Sequence, residues 1–196
     1  IRSQLFLLQG SPAISFEKAV GYAEKASQKT GVRVAFILGV IGQESALGKN
    51  IGQCNLPGDP PKKRWQAIMK PTRDHAPYLS ITSRLGLDPE AMPLSCPMSV
   101  GYGGAMGPAQ FIPSTWVLYE SKIAAATGHN PPNPWAPEDA FMASAIYLAE
   151  LGADTKAGEF VAAAKYFAGG NWNGKLGRTY GNQVLAKVET YQDQLD

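Results

Sequence analysis

One glutamate lies near the end of an otherwise apolar segment. Residues 34–47 read Val-Ala-Phe-Ile-Leu-Gly-Val-Ile-Gly-Gln-Glu-Ser-Ala-Leu, and Glu44 is the only charged side chain among them. The segment is apolar on every helical face, which predicts a buried helix, and it is shorter than the roughly 20 residues that span a bilayer. A carboxyl group placed there must be neutral, paired or functional, because burying a bare charge is unfavourable. A carboxylic acid that keeps its proton in an apolar cleft is suited to acid catalysis of glycosidic bond cleavage.

A glycine-rich run follows about sixty residues later. Residues 101–116 read Gly-Tyr-Gly-Gly-Ala-Met-Gly-Pro-Ala-Gln-Phe-Ile-Pro-Ser-Thr-Trp. The run lacks the lysine of a P-loop and follows no strand, which argues against phosphate binding. One interpretation is a tight loop in which glycines supply positive φ angles. The functional interpretation adds that a sugar lies against this backbone, with Met106 and Gln110 facing the cleft.

Four segments, in order and spacing, resemble the lytic transglycosylases, enzymes with a lysozyme-like fold that cut the glycan strands of bacterial peptidoglycan. They are Glu44-Ser45 at the end of the apolar helix, residues 104–116, residues 135–148 (Trp-Ala-Pro-Glu-Asp-Ala-Phe-Met-Ala-Ser-Ala-Ile-Tyr-Leu) and residues 165–171 (Lys-Tyr-Phe-Ala-Gly-Gly-Asn). The third segment is particularly similar to relatives of membrane-bound lytic transglycosylase B. The resemblance covers roughly residues 30 to 190.

The resemblance implies a role for several residues. Glu44 would be the single catalytic acid and base, protonating the glycosidic oxygen between MurNAc and GlcNAc. It would then deprotonate the C6 hydroxyl of the same MurNAc, which closes into a 1,6-anhydro sugar. The substrate-binding residues would be Gln110, the backbone around Met106, the cleft tyrosines Tyr166 and Tyr147, and Ser45. Tyr166 would sit near the acid.

The chain departs from the family pattern at two positions. The family usually carries a serine nine residues before the glutamine, and this chain has Gly101 there. Ser99 or Tyr102 would have to replace that hydroxyl, and we include Tyr102 among the expected substrate-binding residues. The asparagine that usually follows the second cleft tyrosine is replaced by Phe167.

No second carboxylate stands at an obvious partnering position, whereas ordinary glycosidases need one opposite the acid. The expected reaction uses no metal and no cofactor. Two alternatives remain open from the sequence. One is hydrolysis in the manner of goose-type lysozyme, with Asp59 activating water. The other is a non-catalytic module that binds peptidoglycan.

Composition and cysteine usage argue against other classes of function and indicate where the protein acts. Eighteen basic and sixteen acidic residues give a net charge of +2, which argues against a dedicated nucleic-acid surface. The two cysteines, Cys54 and Cys96, are too far apart for a Cys-x-x-Cys pair, so they are either bridged or independent. Because the implied substrate lies outside the cytoplasm, we favour a disulfide and a periplasmic, envelope or secreted location. The chain begins without methionine, which fits a processed protein or a domain with flanking domains elsewhere.

The remaining pattern predicts a mainly α domain with at most a short β-hairpin, formed as one domain by residues 1–196, and the resemblance implies that this helical domain is lysozyme-like. Ser15 is a good N-cap for a helix that Gly31 ends, and Gly48 is placed to end the helix that carries Glu44. Residues 87–104 contain three prolines and read as an irregular loop. The expected helices span residues 15–29, 34–47, 62–69, 72–85, 114–127, 137–151, 157–168 and 178–193.

Overall fold

The computed structural model describes residues 14–99 and 101–196, and this part of the chain is mainly helical. It contains eight α-helices: α1 (Phe16–Thr30), α2 (Val34–Ser45), α3 (Trp65–Ile68), α4 (Ala76–Leu85), α5 (Pro113–Thr127), α6 (Pro137–Glu150), α7 (Glu159–Ala168) and α8 (Lys175–Leu195). In place of strands, the described residues form only isolated β-bridges. The predicted fold class is therefore confirmed. Within the same residues, no helix combines the length and apolarity needed to cross a membrane.

Helix α2 is the centre of the fold, as its apolar sequence predicts. Its residues from Ala35 to Gly42 are all buried, and the helix packs against α1, α6 and α8. A Cβ atom on Gly39 would lie 2.5 Å from Val188 Cγ2, so this glycine allows α8 to approach closely. The acid near the end of α2 is thereby carried on the most enclosed element of the structure.

The ends of the outer helices largely follow the sequence signals. Ser15 caps α1 by accepting a hydrogen bond from the backbone N–H of Lys18, and Gly31 ends the helix with φ 78°. Pro137 begins α6, and Glu138 and Asp139 lie in its first turn, where negative charges interact favourably with the helix dipole. Helix α8 begins three residues before the predicted start. These three helices surround α2 and fix its position.

The helix predicted over residues 62–69 is interrupted, whereas the one predicted over residues 72–85 is present but begins with a π-helical turn. The structure has a 3₁₀ turn at Pro61–Lys63, the short α3, and a π-helical turn at Pro71–His75 that leads into α4. Pro77 lacks the N–H group that a regular α-helix would need at this point, which explains the wide turn before it. The side chain of Asn55 holds the start of α3 by accepting a hydrogen bond from Trp65 N over 3.1 Å.

An irregular loop layer covers one end of the bundle. Antiparallel bridges connect Cys54 with Leu94, Leu94 with Met106, and Met106 with Phe111. Cys54 and Cys96 form a disulfide in this layer, with their Cα atoms 5.2 Å apart. The backbone bridges and the disulfide hold the glycine-rich loop against the end of α2.

Candidate active site

A cavity of about 380 Å³ opens where the end of α2 meets the loop layer and helices α6 and α7. Its lining combines polar groups with apolar and aromatic side chains, a composition typical of ligand sites. Residues that line it are Glu44, Ser95, Cys96, Met98, Tyr102, Ala105, Gln110, Phe111, Ile112, Thr115, Tyr147, Tyr166 and Phe167. Glu44 is the only carboxylate in this set, and the set contains no lysine, arginine or histidine.

The end of helix α2 determines where Glu44 points. The helix stops at Ser45, and Ala46 and Leu47 then take left-handed conformations with φ 51° and 56°. The prediction that Gly48 ends the helix is therefore wrong by two residues. The early stop is held by Ser45 Oγ, which donates to the carbonyl oxygen of Pro108 over 2.7 Å and accepts from Gly48 N over 2.9 Å.

Ser45 does not face the cavity. Ser45 is 1% exposed, and its hydroxyl makes three hydrogen bonds to backbone groups, of Ile41, Gly48 and Pro108. The expectation that it binds substrate is not met, because its hydroxyl is already used inside the protein. Its role is to fasten the glycine-rich loop beside Glu44.

Glu44 is enclosed by protein except where it meets the cavity. Burial raises the pKa of its carboxyl group from 4.5 to about 7, and a hydrogen bond from Tyr180 acts in the opposite direction. The Tyr180 hydroxyl donates to Glu44 Oε1 from helix α8. A glutamic acid with a pKa near neutrality is well matched to proton transfer at physiological pH. At the end of a helix, the dipole also disfavours the anion.

Two tyrosine hydroxyls lie close to this carboxyl group. Burial and the negative charge of Glu44 raise the pKa of both Tyr166 and Tyr180 well above the usual value, so both remain neutral hydrogen-bond donors. Tyr166 donates to the carbonyl oxygen of Ala109 over 2.7 Å, which links α7 to the glycine-rich loop. The structure thus brings Tyr166 near Glu44, where the sequence resemblance expects it.

Tyr147 belongs to an aromatic cluster beneath the same cavity. Its ring centroid lies 5.3 Å from that of Tyr166 and 5.8 Å from that of Phe111. Tyr147 lines the cavity and is partly buried, so its position agrees with the expected one. Phe111 is buried and also contributes to the cavity wall.

The glycine-rich loop presents Gln110 but not the side chain of Met106. Gln110 lines the cavity with φ 54°, and its Nε2 donates to the carbonyl oxygen of Gly107 over 2.8 Å. Met106 is 1% exposed and does not line the cavity, so the expectation that it faces the cleft is wrong. Gly107 allows the loop to pass this close to Pro134, because a Cβ atom at position 107 would lie 1.8 Å from the Pro134 carbonyl oxygen.

Of the two residues expected to replace the hydroxyl of the family's serine, one lies at the rim of the cavity. Tyr102 lines the cavity and is 56% exposed, whereas Ser99 does not line it. Ser95, which the sequence analysis did not single out, also lines the cavity, and its Oγ accepts from the backbone N–H of Ala105 over 2.9 Å. Tyr102 and Ser95 therefore both bring hydroxyl groups to the part of the cavity lined by the loop layer.

Tyr180 is the main site residue that the sequence analysis missed. It shares the buried face of α8 with Val184 and Val188, which follow at intervals of four residues. That spacing is a helical signal for a face turned towards the core. It does not indicate that the phenol reaches an acid 136 residues earlier in the chain.

The residue required by the hydrolytic alternative lies elsewhere. Asp59 does not line the cavity, and its Oδ2 accepts from the backbone N–H of Leu56 over 2.9 Å. Its Oδ1 lies 3.9 Å from Lys63 Nζ. Across residues 14–99 and 101–196, no group of three or more histidine, cysteine, aspartate or glutamate side chains is arranged to hold a metal ion.

Comparison with known proteins identifies the fold. No family model matches the chain, and neither does any curated protein. Among solved structures, soluble lytic transglycosylase SltB1 from Pseudomonas aeruginosa is 27% identical over 70% of this chain and 44% of its own, with a TM-score of 0.50. Escherichia coli lytic transglycosylase Slt35 in complex with bulgecin A is 17% identical over 96% of this chain and 82% of its own, with a TM-score of 0.57.

A third match agrees with these two. A 36 kDa muramidase/transglycosylase is 18% identical over 96% of this chain and 85% of its own, with a TM-score of 0.53. This chain spans less than half the length of SltB1. The chain has the fold of the lytic transglycosylases.

Proposed function

We propose that this protein is a peptidoglycan lytic transglycosylase that acts outside the cytoplasm, with Glu44 as its single acid and base. One observation carries the proposal: Glu44 is the only carboxyl group among the described residues that line the cavity, and burial raises its pKa to about 7. Because a fold hosts several functions, the fold shared with SltB1 and Slt35 supports the reaction class without fixing the catalytic residue.

The first step is proton donation by Glu44 to the glycosidic oxygen between MurNAc and GlcNAc. The bond from C1 of MurNAc to that oxygen breaks, and GlcNAc leaves with the donated proton on its new hydroxyl group. Glu44 is then a carboxylate, and the hydroxyl of Tyr180 donates a hydrogen bond to this charged form. A bond of this kind is stronger than one between neutral groups, so it stabilises the anion between the two steps.

The second step regenerates the acid. Glu44 accepts the proton of the C6 hydroxyl of the same MurNAc, and the C6 oxygen bonds to C1 to form the 1,6-anhydro ring. No water is consumed and no second carboxylate is required, because the nucleophile belongs to the substrate. Intramolecular attack benefits from a high effective concentration.

The remaining cavity residues would position the glycan strand. Gln110 has an amide that can both donate to and accept from sugar groups. Tyr102 and Met98 are exposed at the rim, 56% and 67% respectively, and offer apolar surface for a sugar face. Tyr166 and Tyr147 form the aromatic wall deeper in the cavity.

Product analysis distinguishes this proposal from its alternatives. Wild-type protein is expected to release muropeptides with 1,6-anhydro ends from purified cell walls, as read by mass spectrometry. Glu44→Gln is expected to release none while still binding the walls. Glu189→Gln is the matched control, because it removes the same charge from an exposed position. Reducing ends in place of anhydro ends would mean hydrolysis, and binding without release by the wild type would mean a non-catalytic module.

A further inference from the structure

Phe167 connects the cavity to the hydrogen-bond partner of Glu44. It follows Tyr166 on helix α7, lines the cavity and is 42% exposed. Its ring stacks on the ring of Tyr180, with centroids 4.9 Å apart and planes inclined by only 9°. Tyr180 is 6% exposed, and its hydroxyl donates to Glu44 Oε1. The three side chains therefore form one continuous contact from the cavity wall to the acid.

We propose that Phe167 is a positioning residue whose ring holds the phenol of Tyr180 in the orientation that donates to Glu44. This inference deepens the proposed function and rests on it for the role of Glu44 as acid. Phe167 stands where the resembled enzymes carry an asparagine, and asparagine has no ring with which to hold a tyrosine in this way.

The stacked geometry gives the physical reason. Aromatic pairs in contact favour particular ring orientations and restrict rotation of either ring. The Phe167 ring covers one face of Tyr180, on the side where helix α7 borders the cavity. A smaller or non-planar side chain would leave that face open and would let the whole side chain of Tyr180 shift about χ1, which moves its hydroxyl away from Glu44 and weakens the hydrogen bond.

Few other groups can influence the protonation of Glu44. Tyr180 from α8 donates to it, and Tyr166 from α7 is close enough for the charge of Glu44 to raise the pKa of its hydroxyl. Tyr147 from α6 and Tyr102 from the loop line the same cavity, and no positively charged side chain among the described residues does so. Because the bond from Tyr180 lowers the pKa of Glu44, weakening that bond is expected to raise it.

The test compares pH profiles of kcat/KM for variants at Phe167 and Tyr180. A general acid must be protonated, so activity falls on the alkaline limb as Glu44 ionises. Tyr180→Phe is expected to move that limb upward by about one pH unit, because a hydrogen bond to a charged group is removed. Phe167→Leu keeps apolar bulk beside Tyr180 but loses the flat stack, and it is expected to move the limb in the same direction by a smaller amount. Phe167→Tyr keeps the stack and should leave the limb in place.

A double variant separates positioning from substrate contact. If Phe167 acts through Tyr180, adding Phe167→Leu to Tyr180→Phe shifts the limb no further. Met98→Ala is the matched control, because it also removes apolar surface from the cavity rim and is expected to change KM without moving the limb. A Phe167→Leu variant with an unmoved limb, or a double variant whose shifts add, would overturn the proposal.

A titration without substrate keeps this test independent of the proposed function. The carboxyl carbon of Glu44, labelled with ¹³C and assigned by its absence from Glu44→Gln, reports the pKa directly by NMR. The same ordering is expected: wild type and Phe167→Tyr lowest, Phe167→Leu higher, Tyr180→Phe highest. If the wild type lacks transglycosylase activity but this ordering holds, the proposed function fails and the positioning role stands. If activity is present and the ordering is absent, the positioning role fails alone.

Discussion

Replacing Glu44 by glutamine is expected to stabilise the protein at alkaline pH and to leave its stability nearly unchanged at acid pH. Glutamine has almost the same shape, can still accept the hydrogen bond from Tyr180, and never ionises. The effect on stability therefore comes from the charge that the variant does not have to bury. This separates it from the loss of a packing contact, which would act at every pH.

The size and sign of the effect follow from the pKa. Burial raises the pKa of Glu44 from 4.5 to about 7. When folding raises the pKa of an acid, the protonated acid costs no stability at a pH below its pKa in the unfolded chain. The free energy of unfolding then falls as the pH rises from that value towards the pKa in the folded protein. Each unit corresponds to about 1.4 kcal/mol, so ionisation of Glu44 lowers the free energy of unfolding by about 3 kcal/mol once the pH exceeds 7. The variant avoids this loss.

Thermal unfolding at a series of pH values measures the difference. Between pH 4 and pH 8, the melting temperature of Glu44→Gln relative to wild type should rise by about 6–12 °C, using 2–4 °C per kcal/mol for a domain of this size. Most of the rise should fall between pH 4.5 and 7. A difference that is the same at both ends of the range, or a variant less stable than wild type at pH 8, would refute the argument that the carboxyl group is held against its ionised form.

Glu159→Gln provides a control of opposite sign. Glu159 is also buried, but Arg33 donates to both of its carboxylate oxygens, over 2.7 and 2.9 Å. Removing its charge leaves the arginine without its partner, so this variant is expected to be less stable than wild type at pH 8. The same substitution is thus expected to have opposite effects at the two buried glutamates, because among the described residues only Glu159 has a cationic partner.

Two further predictions concern the loop layer. Non-reducing peptide mapping should recover Cys54 and Cys96 in one linked peptide. Reduction should lower the melting temperature, because a disulfide with a sequence separation of 42 stabilises the protein by about 4 kcal/mol on the chain-entropy model. Two free thiols in protein prepared under oxidising conditions would contradict this. Gln110→Ala should reduce kcat/KM by about ten- to a hundredfold through one lost hydrogen bond to the sugar, with the alkaline limb set by Glu44 unmoved. A loss as severe as that of Glu44→Gln in a folded variant would mean that Gln110 does more than position substrate.

The sequence alone predicted most of the helical framework and placed Glu44 on a buried helix. The apolar run of residues 34–42 predicts a buried helix, and the single glutamate that follows it points to chemistry. The predicted helix caps Ser15 and Gly31 were also confirmed, because capping depends on side chains and backbone angles within a few residues. The end of α2 was different: a tertiary hydrogen bond from Ser45 to Pro108 holds the helix end before Gly48, the residue that the local pattern predicts.

Only the tertiary structure decided which side chains surround the acid. Met106 lies in the segment that faces the cavity, yet its side chain turns into the core because the loop is bridged to Leu94 and Phe111. Tyr180 reaches Glu44 from a helix that is distant in sequence, and Phe167 reaches Tyr180 from another. Periodicity states which face of a helix is buried, but the neighbour met there depends on how the helices pack. The partners of Glu44 were therefore set by the packing of α8 against α2 and of α7 against α8, which no local pattern encodes.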